Sequence, residues 1–350
     1  MDTEWICFDA VTGYDKGELN HAAQILRQGG LVAFPTETVY GLGGDGFNQQ
    51  AAKKIYEAKG RPSDNPLILH ISKREELDAI AAQIPETAEK LMDAFWPGPM
   101  TLIFEKTKAV PYETTGGLDT VAVRMPSHEG ARQLIESAGV PVAAPSANTS
   151  GRPSPTTAEH VKEDLWGRID MIIDGGLVGI GVESTIIDVT EETPTILRPG
   201  HITKNMIAKV IGTVQMDAGL SGLDQSVKPK APGMKYRHYA PKASMTVIQG
   251  KKEAVIRRIE ELAAEYPKEK VGILAADETL SCYTHGQVVS AGSRNEHTIE
   301  QGLYRALREF DHMGVSVIFS ESFADDDRSE AIMNRLLKAA GQKIEYLSDK

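Results

Sequence analysis

The sequence predicts an α/β protein built as two units, and three observations carry that reading. Short apolar runs bounded by Gly or Pro alternate with amphipathic stretches of helical period from residue 18 to about residue 210. The periodicity lapses over residues 213–244, where prolines, glycines and cations crowd together, and it resumes from Met245 to about Ala340. A chain of 350 residues, 41% apolar and 25% charged, is also long enough for two cores. The expected division is residues 1–212, a basic linker over 213–244, and a smaller doubly wound, Rossmann-like α/β unit over 245–350.

Taken in order, Glu18–Gln28 is expected to be a helix with Leu19, Ala22, Ala23 and Leu26 on one stripe and Gly29 as its stop. Leu31–Phe34 is a buried strand that delivers a Pro-Thr-Glu-Thr corner, and Gly41–Gly46 gives the chain room to turn into a helix over Gln49–Lys59. Gly60 ends that helix, so Lys59 and Arg61 flank a tight turn. A strand at Leu67–Ile71 carries His70 near its end. Helices over Lys73–Ala82 and Pro85–Phe95, the Trp-Pro-Gly-Pro turn at 96–99 and a strand at Met100–Glu105 follow. Thr120–Arg124 is a strand with Arg124 at its C-terminal end, and helix His128–Ala138 links it to a strand at Val142–Ala144. Residues 145–157, PSANTSGRPSPTT, read as an extended loop. A helix at Ala158–Leu165 and strands near Met171–Asp174, Ser184–Val189 and Thr195–Leu197 close the first unit with helix Lys204–Val210. In the second unit, helices are expected at Glu253–Ala264, Ile299–Met313 and Ala331–Ala340, with strands at Val271–Ala275 and Val315–Phe319.

Composition excludes several classes. The net charge is −11, and residues 1–213 alone hold 19 Lys and Arg against 29 Asp and Glu, a balance that disfavours a broad nucleic-acid surface. Val227–Lys242 stands out as a basic island with five Lys and Arg and no acid. Cys7 and Cys282 lie too far apart in sequence for a CxxC or zinc spacing, which points to a cytoplasmic protein without disulfides. No apolar run approaches the ~18 residues of a membrane span.

Gly41, Gly43 and Gly46 satisfy GxGxxG, but six residues separate them from the preceding strand and the next strand ends in His70, Ile71 and Ser72 rather than an acid. A dinucleotide site is therefore not expected, nor any tightly bound organic cofactor. Ser146 lacks a glycine elbow, and the nine histidines include no HExxH pair, so neither a serine hydrolase nor a resident metal is expected. What remains is a convergence: Thr36–Thr38, Lys59, Arg61, Arg124 and Arg198 at strand and helix ends, with the hydroxyls and amides of the 145–157 loop. Fixed cations meeting hydroxyls suit a phosphate or carboxylate ligand.

The blocks PTETVYGLG (35–43), KGRPSDNPL (59–67), WPGPMT (96–101), VAVRMP (121–126), APSANTSGRPSPT (144–156), GVEST (181–185), LRPG (197–200) and PGMKYRHYAP (232–241) together resemble the threonylcarbamoyl-AMP synthase family. The resemblance implies a twisted, mixed-sheet YrdC-like catalytic domain, a linker and a C-terminal extension. It implies synthesis of L-threonylcarbamoyladenylate and pyrophosphate from L-threonine, bicarbonate and ATP with Mg²⁺, for transfer to tRNA by downstream proteins. By the same resemblance, Thr38, His70, Arg124, Ser184 and the backbone at Ala144 would hold threonine. Lys59, Arg61, Asn65, Thr120, Ser146, Ser154, Arg198 and Tyr236 would hold ATP. Lys59 and Arg61 would stabilise charge, with no nucleophilic side chain, and the basic island would close over the cleft. Rival readings are a carbamoyl-adenylate module of the hydrogenase-maturation type, whose zinc-finger cysteines are missing here, and a non-catalytic RNA-binding protein of the same fold, which the acidity disfavours.

Overall fold

The computed structural model describes residues 2–9, 11–221, 231–232, 238–295, 298–324 and 329–348. The chain separates into two compact units: Met1–Ser150 with Ser154–Tyr236, and Gly151–Pro153 with Arg237–Lys350.

The first unit is organised on an eleven-stranded mixed sheet. Its strands are β1 (Glu4–Cys7), β2 (Val32–Phe34), β3 (Gly41–Asp45), β4 (Ile68–His70), β5 (Met100–Glu105), β6 (Thr120–Arg124), β7 (Val142–Ala143), β8 (Met171–Asp174), β9 (Thr185–Asp188), β10 (Thr195–Arg198) and β11 (Gln215–Met216). They lie in the order β1-β8-β2-β3-β7-β4-β6-β5-β9-β10-β11. The helices that cover it include α1 (Lys16–Arg27), α2 (Gln49–Lys59), α3 (Glu86–Phe95), α4 (Tyr112–Thr115), α5 (Glu129–Ala138), α6 (Ala158–Leu165) and α7 (Lys204–Ile211).

Alternation along each strand sorts the side chains into two layers. Val32, Phe34, Met171 and Ile173 pack with Ala22, Ala23 and Leu26 of α1 and Leu134, Ile135 and Ala138 of α5. Ala33 and Ile172, one residue out of phase, join the larger layer of Leu42, Leu69, Leu102 and Val123 with Ala52 and Ile55 of α2. On β4, β5, β6 and β9 the residues facing away from that larger layer are Ile68, Ile103, Ala122 and Ile186, and Ala231 rests on them. This leaves a face beyond α1 and α5 on which polar neighbours of the same phase can stand.

Several local expectations are corrected. Gly41–Asp45 is not turn space but strand β3, antiparallel to β2 with Val32 opposite Gly43 and Phe34 opposite Gly41. Crowding dictates glycine here: a Cβ on Gly43 would lie 2.7 Å from Val142 and 2.8 Å from Phe34, and one on Gly46, just past the strand, 2.4 Å from Leu69. The helix expected over Lys73–Ala82 is a 3₁₀ segment at Arg74–Ala79. The stretch expected to be linker from residue 213 starts inside the first unit, because Val214 joins its core and β11 pairs in parallel with β10. Strand β1 was not expected; its three apolar positions are too few to show a period.

The second unit is an all-parallel sheet of β12 (Ser244–Gln249), β13 (Val271–Ala276), β14 (Gln287–Gly292), β15 (Val317–Glu321) and β16 (Ile344–Tyr346), in the order β14-β13-β15-β12-β16. Its helices are α8 (Lys252–Ala263), α9 (Ile299–Met313) and α10 (Ser329–Ala339). Val255 and Ile259 of α8 pack on the face that carries Ile273 and Ala275. Phe310 of α9 packs over Gly272, which points the other way, and a Cβ there would lie 2.6 Å from the ring. Helices therefore cover both faces, as a doubly wound unit requires. Strands β14 and β16 were not expected: the first is a half-buried QVVSAG run at the sheet edge, and the second has three residues.

Candidate active site

The open face of the first sheet gathers the candidate residues. By strand phase His70 follows Ile68, Arg124 follows Ala122, Thr101 precedes Ile103, and Ser184 precedes Ile186, so all four share the face on which Ala231 rests. Register brings them level, with His70 opposite Arg124 and Arg124 opposite Thr101.

Arg124 is the centre of this group. Its Nη1 donates to Thr38 Oγ1 at 2.9 Å and its Nε to the Gly98 carbonyl at 3.3 Å. Thr38 lies 2.9 Å from Thr36 Oγ1, and because Thr36 donates to the Val39 carbonyl at 2.7 Å, the proton between the two hydroxyls belongs to Thr38. Arg124 Nη2 stands 2.7 Å from Glu37 Oε1, and the backbone N–H groups of Glu37 and Ser127 also act on the carboxylate. A buried cation and carboxylate held side by side suit a ligand that carries both charges. Burial alone would raise the Glu37 carboxyl, but the Arg124 guanidinium outweighs it and holds the group below the usual carboxylate range.

His70 is buried, with Nδ1 3.1 Å from the Ile68 carbonyl and its ring edge-on to Phe34. Burial, reinforced by the Arg124 charge, pushes it down to about 3, so at neutral pH it is an uncharged imidazole. The unfolded chain takes up this proton below about pH 6.5 and the folded chain does not. Stability from His70 is thus complete above about 6.5 and falls by ~1.4 kcal/mol per pH unit between about 6.5 and 3. Urea titrations across that range should show this slope, and His70→Phe should reduce it by about one proton's worth; an unchanged slope would contradict the assignment.

Ser184 and Arg198 continue the group. Arg198 donates from Nε to the Ser184 carbonyl at 3.0 Å, from Nη2 to Ser184 Oγ at 3.1 Å and from Nη1 to the Pro232 carbonyl at 3.4 Å. Ser184 Oγ lies 2.7 Å from Thr101 Oγ1. Thr101 was missed by sequence reasoning; its signal was a lone hydroxyl in the otherwise apolar start of MTLIFE. Glu37 was read only as part of the corner.

The loop after β7 is not a surface loop: Ala147, Ser154 and Thr156 are fully buried. Tyr40 N–H donates to the Pro155 carbonyl, Leu42 N–H to Pro145, and Ala147 N–H to Tyr40, while Ala144 N–H donates to Ile68. The Lys59 ammonium, at the end of α2, donates to the carbonyls of Ser146 and Asn148. Gly60 allows this by taking the left-handed cap at φ 61°. Ser146 Oγ donates to Asn148 Oδ1 at 2.6 Å, and Ser154 Oγ to Glu183 Oε1 at 2.5 Å.

Arg61 and Asn65 form a second group, at the turn after α2. Arg61 donates to the carbonyls of Asn65 at 3.2 Å and Pro66 at 3.0 Å, while buried Asn65 Oδ1 has no hydrogen-bond partner. Thr120 begins the strand that Arg124 ends, ~13 Å away at strand rise. Tyr236, and most of Val227–Lys242, lie outside the described residues.

With this geometry in place, comparison with known proteins is decisive. The chain is 50% identical over 332 residues to the threonylcarbamoyl-AMP synthase of Pyrococcus abyssi, covering 94% of this chain and 96% of that one. The chain belongs to the threonylcarbamoyl-AMP synthase family. The Bacillus subtilis threonylcarbamoyl-AMP synthase is 51% identical, with 93% of this chain and 94% of its own covered. A family model described as "Telomere recombination" matches residues 24–200, and one described as "Threonylcarbamoyl-AMP synthase, C-terminal domain" matches 202–341. The crystal structure of P. abyssi Sua5 complexed with L-threonine superposes with a TM-score of 0.94 at 48% identity, over 99% of this chain and all of that one. The mixed-sheet unit followed by a parallel α/β unit is thus the architecture of a threonylcarbamoyl-AMP synthase.

Proposed function

We propose that the protein converts L-threonine, bicarbonate and ATP into L-threonylcarbamoyladenylate and pyrophosphate, as a nucleotidyltransferase serving the threonylcarbamoyladenosine modification of tRNA. The observation that carries this reading is the buried Arg124–Glu37 pair, ringed by Thr38, Thr101 and Ser184 on one sheet face: it offers a cation, an anion and hydroxyls to an amino acid with a hydroxyl side chain. Full-length likeness to relatives that bear this name supports it.

The chemistry asks for positioning and charge stabilisation. Threonine's amine and bicarbonate give a carbamate with loss of water; a carbamate oxygen then attacks the α-phosphorus as the bond to the β-phosphate oxygen breaks and pyrophosphate leaves. Arg124 holds the threonine carboxylate, while Thr38, Ser184 and the uncharged His70 frame the rest of the amino acid, with the Ala144 backbone alongside. Lys59, Arg61 and Arg198 meet the phosphates, and Asn65, Thr120, Ser146 and Ser154 give neutral contacts to the nucleotide. Mg²⁺ enters with ATP. Among the described residues no group of three His, Cys, Asp or Glu could cage a metal, whereas the Ser146 and Ser154 hydroxyls and the Glu183 carboxylate are hard oxygen donors of the kind magnesium accepts beside phosphates. When bound, the ion neutralises phosphate charge.

Downstream, the labile product is handed to proteins that transfer the group to tRNA, in the cytoplasm. Among the described residues no helix is long and apolar enough to cross a membrane. The test is pyrophosphate release from ATP: it should require both threonine and bicarbonate and yield the carbamoyladenylate by mass spectrometry. Release independent of threonine would overturn the reading.

A further inference from the structure

Three residues of the loop after β7 belong to the second unit. Gly151, Arg152 and Pro153 group with Arg237–Lys350, whereas Ser150 before them and Ser154 after them belong to the first. Each of the three has a partner in the second unit. Ala240 N–H donates to the Gly151 carbonyl at 2.8 Å, Arg152 Nη2 stands 3.6 Å from Asp311 Oδ2, and Arg308 Nη2 donates to the Pro153 carbonyl at 2.7 Å. Asp311 also accepts from the Lys242 N–H at 2.7 Å.

Helix α9 supplies both Arg308 and Asp311. A helix that only covered a sheet would bury one apolar stripe and leave the opposite side wet. On α9 that stripe is Leu303, Leu307 and Phe310, with Phe310 over Gly272. Yet Tyr304 and Arg308, each one position further on, are also fully buried, and the Asp311 side chain is 2% exposed. Spaced by four and three residues, Tyr304, Arg308 and Asp311 share a second face. Burying a guanidinium is costly, so a fully buried Arg on a packing helix marks a specific task.

The task is legible in the backbone. The peptide unit that carries the Pro153 carbonyl also carries the Ser154 nitrogen, and its planarity makes the two move together. Pro153 and Pro155 fix φ on either side, and Ser154, which precedes a proline, is confined to extended backbone. The Pro-Ser-Pro segment is therefore stiff, and an anchor at its first carbonyl sets the position of Ser154. That residue's Oγ donates to Glu183 at 2.5 Å.

We propose that Arg308 and Asp311 are positioning residues for the nucleotide: by gripping Gly151–Pro153 they fix the backbone from which Ser154 meets ATP. They act through the loop and not on ATP directly. This role rests on the assignment of Ser154 to the nucleotide.

Steady-state pyrophosphate release by the full chain tests it. Arg308→Met keeps the length of the side chain and removes its donors; it should raise the KM for ATP about tenfold and leave the KM for threonine within about twofold. Asp311→Asn keeps an acceptor for the Lys242 N–H and removes the charge facing Arg152, and should raise the KM for ATP about threefold. A smaller folded fraction would lower kcat and move neither KM. An unchanged KM for ATP in Arg308→Met, or equal rises in both KM values, overturns the positioning role; if that variant does not fold, an unchanged KM for ATP in Asp311→Asn does so. Wild-type protein that releases no pyrophosphate with threonine and bicarbonate overturns instead the ATP assignment, and the role falls with it.

Discussion

Arg124→Ala will lower threonine-dependent pyrophosphate release by about 10²- to 10³-fold and raise the KM for threonine, the loss expected when a buried charged partner worth ~3–4 kcal/mol is removed. It will also destabilise the fold, because Glu37 is left as an unpaired buried carboxylate, at a cost of ~3–5 kcal/mol. These two effects separate in the double variant Arg124→Ala/Glu37→Gln. Removing the stranded charge should return most of the stability measured by urea unfolding, while turnover stays low. If turnover returns with stability, Arg124 is a counter-ion for Glu37 and does not hold substrate.

Lys59→Met will have the second-largest effect. The ammonium is buried and donates to the carbonyls of Ser146 and Asn148, so a side chain of similar length without charge leaves two buried acceptors to be satisfied elsewhere. At ~1–3 kcal/mol for each buried group left unsatisfied, stability should drop by about 2–6 kcal/mol. The loop from Ala144 to Ser150 should lose protection from hydrogen exchange. Turnover should fall by about 10²-fold, chiefly through a higher KM for ATP, since Ser146 would lose its fixed position. Normal ATP kinetics with a loosened loop would show that Lys59 only anchors the backbone. Lys59→Arg should not rescue, because the guanidinium fork is too wide for a seat between two backbone carbonyls of one loop.

Much of the candidate site was legible because strand phase writes it into the sequence. Ile68 and His70, Ala122 and Arg124, and Thr101 and Ile103 are each two residues apart at strand ends, so a polar side chain stands next to an apolar one on the same face. Ordered motifs then supplied the family, and with it the expected roles of residues as distant as Thr38 and Arg198. Helix stops were equally plain: Gly29 and Gly60, both expected to end helices, lie at positive φ just after them.

Other features were not legible, each for a physical reason. Strand β3 looked like a turn because its glycines answer to neighbours, Val142 and Phe34, that come from other strands. The 145–157 stretch had the composition of a surface loop, and only pairing with Tyr40 and Leu42 and the Lys59 ammonium buries it. The Arg124–Glu37 pair joins residues 87 positions apart, and the Ser184–Thr101 contact joins two strands that only the sheet order makes neighbours. Local periodicity and turn chemistry therefore determined the α/β class and the stations of the functional side chains. Strand order decided which stations meet, because side chains so far apart in sequence touch only once the sheet's register is set.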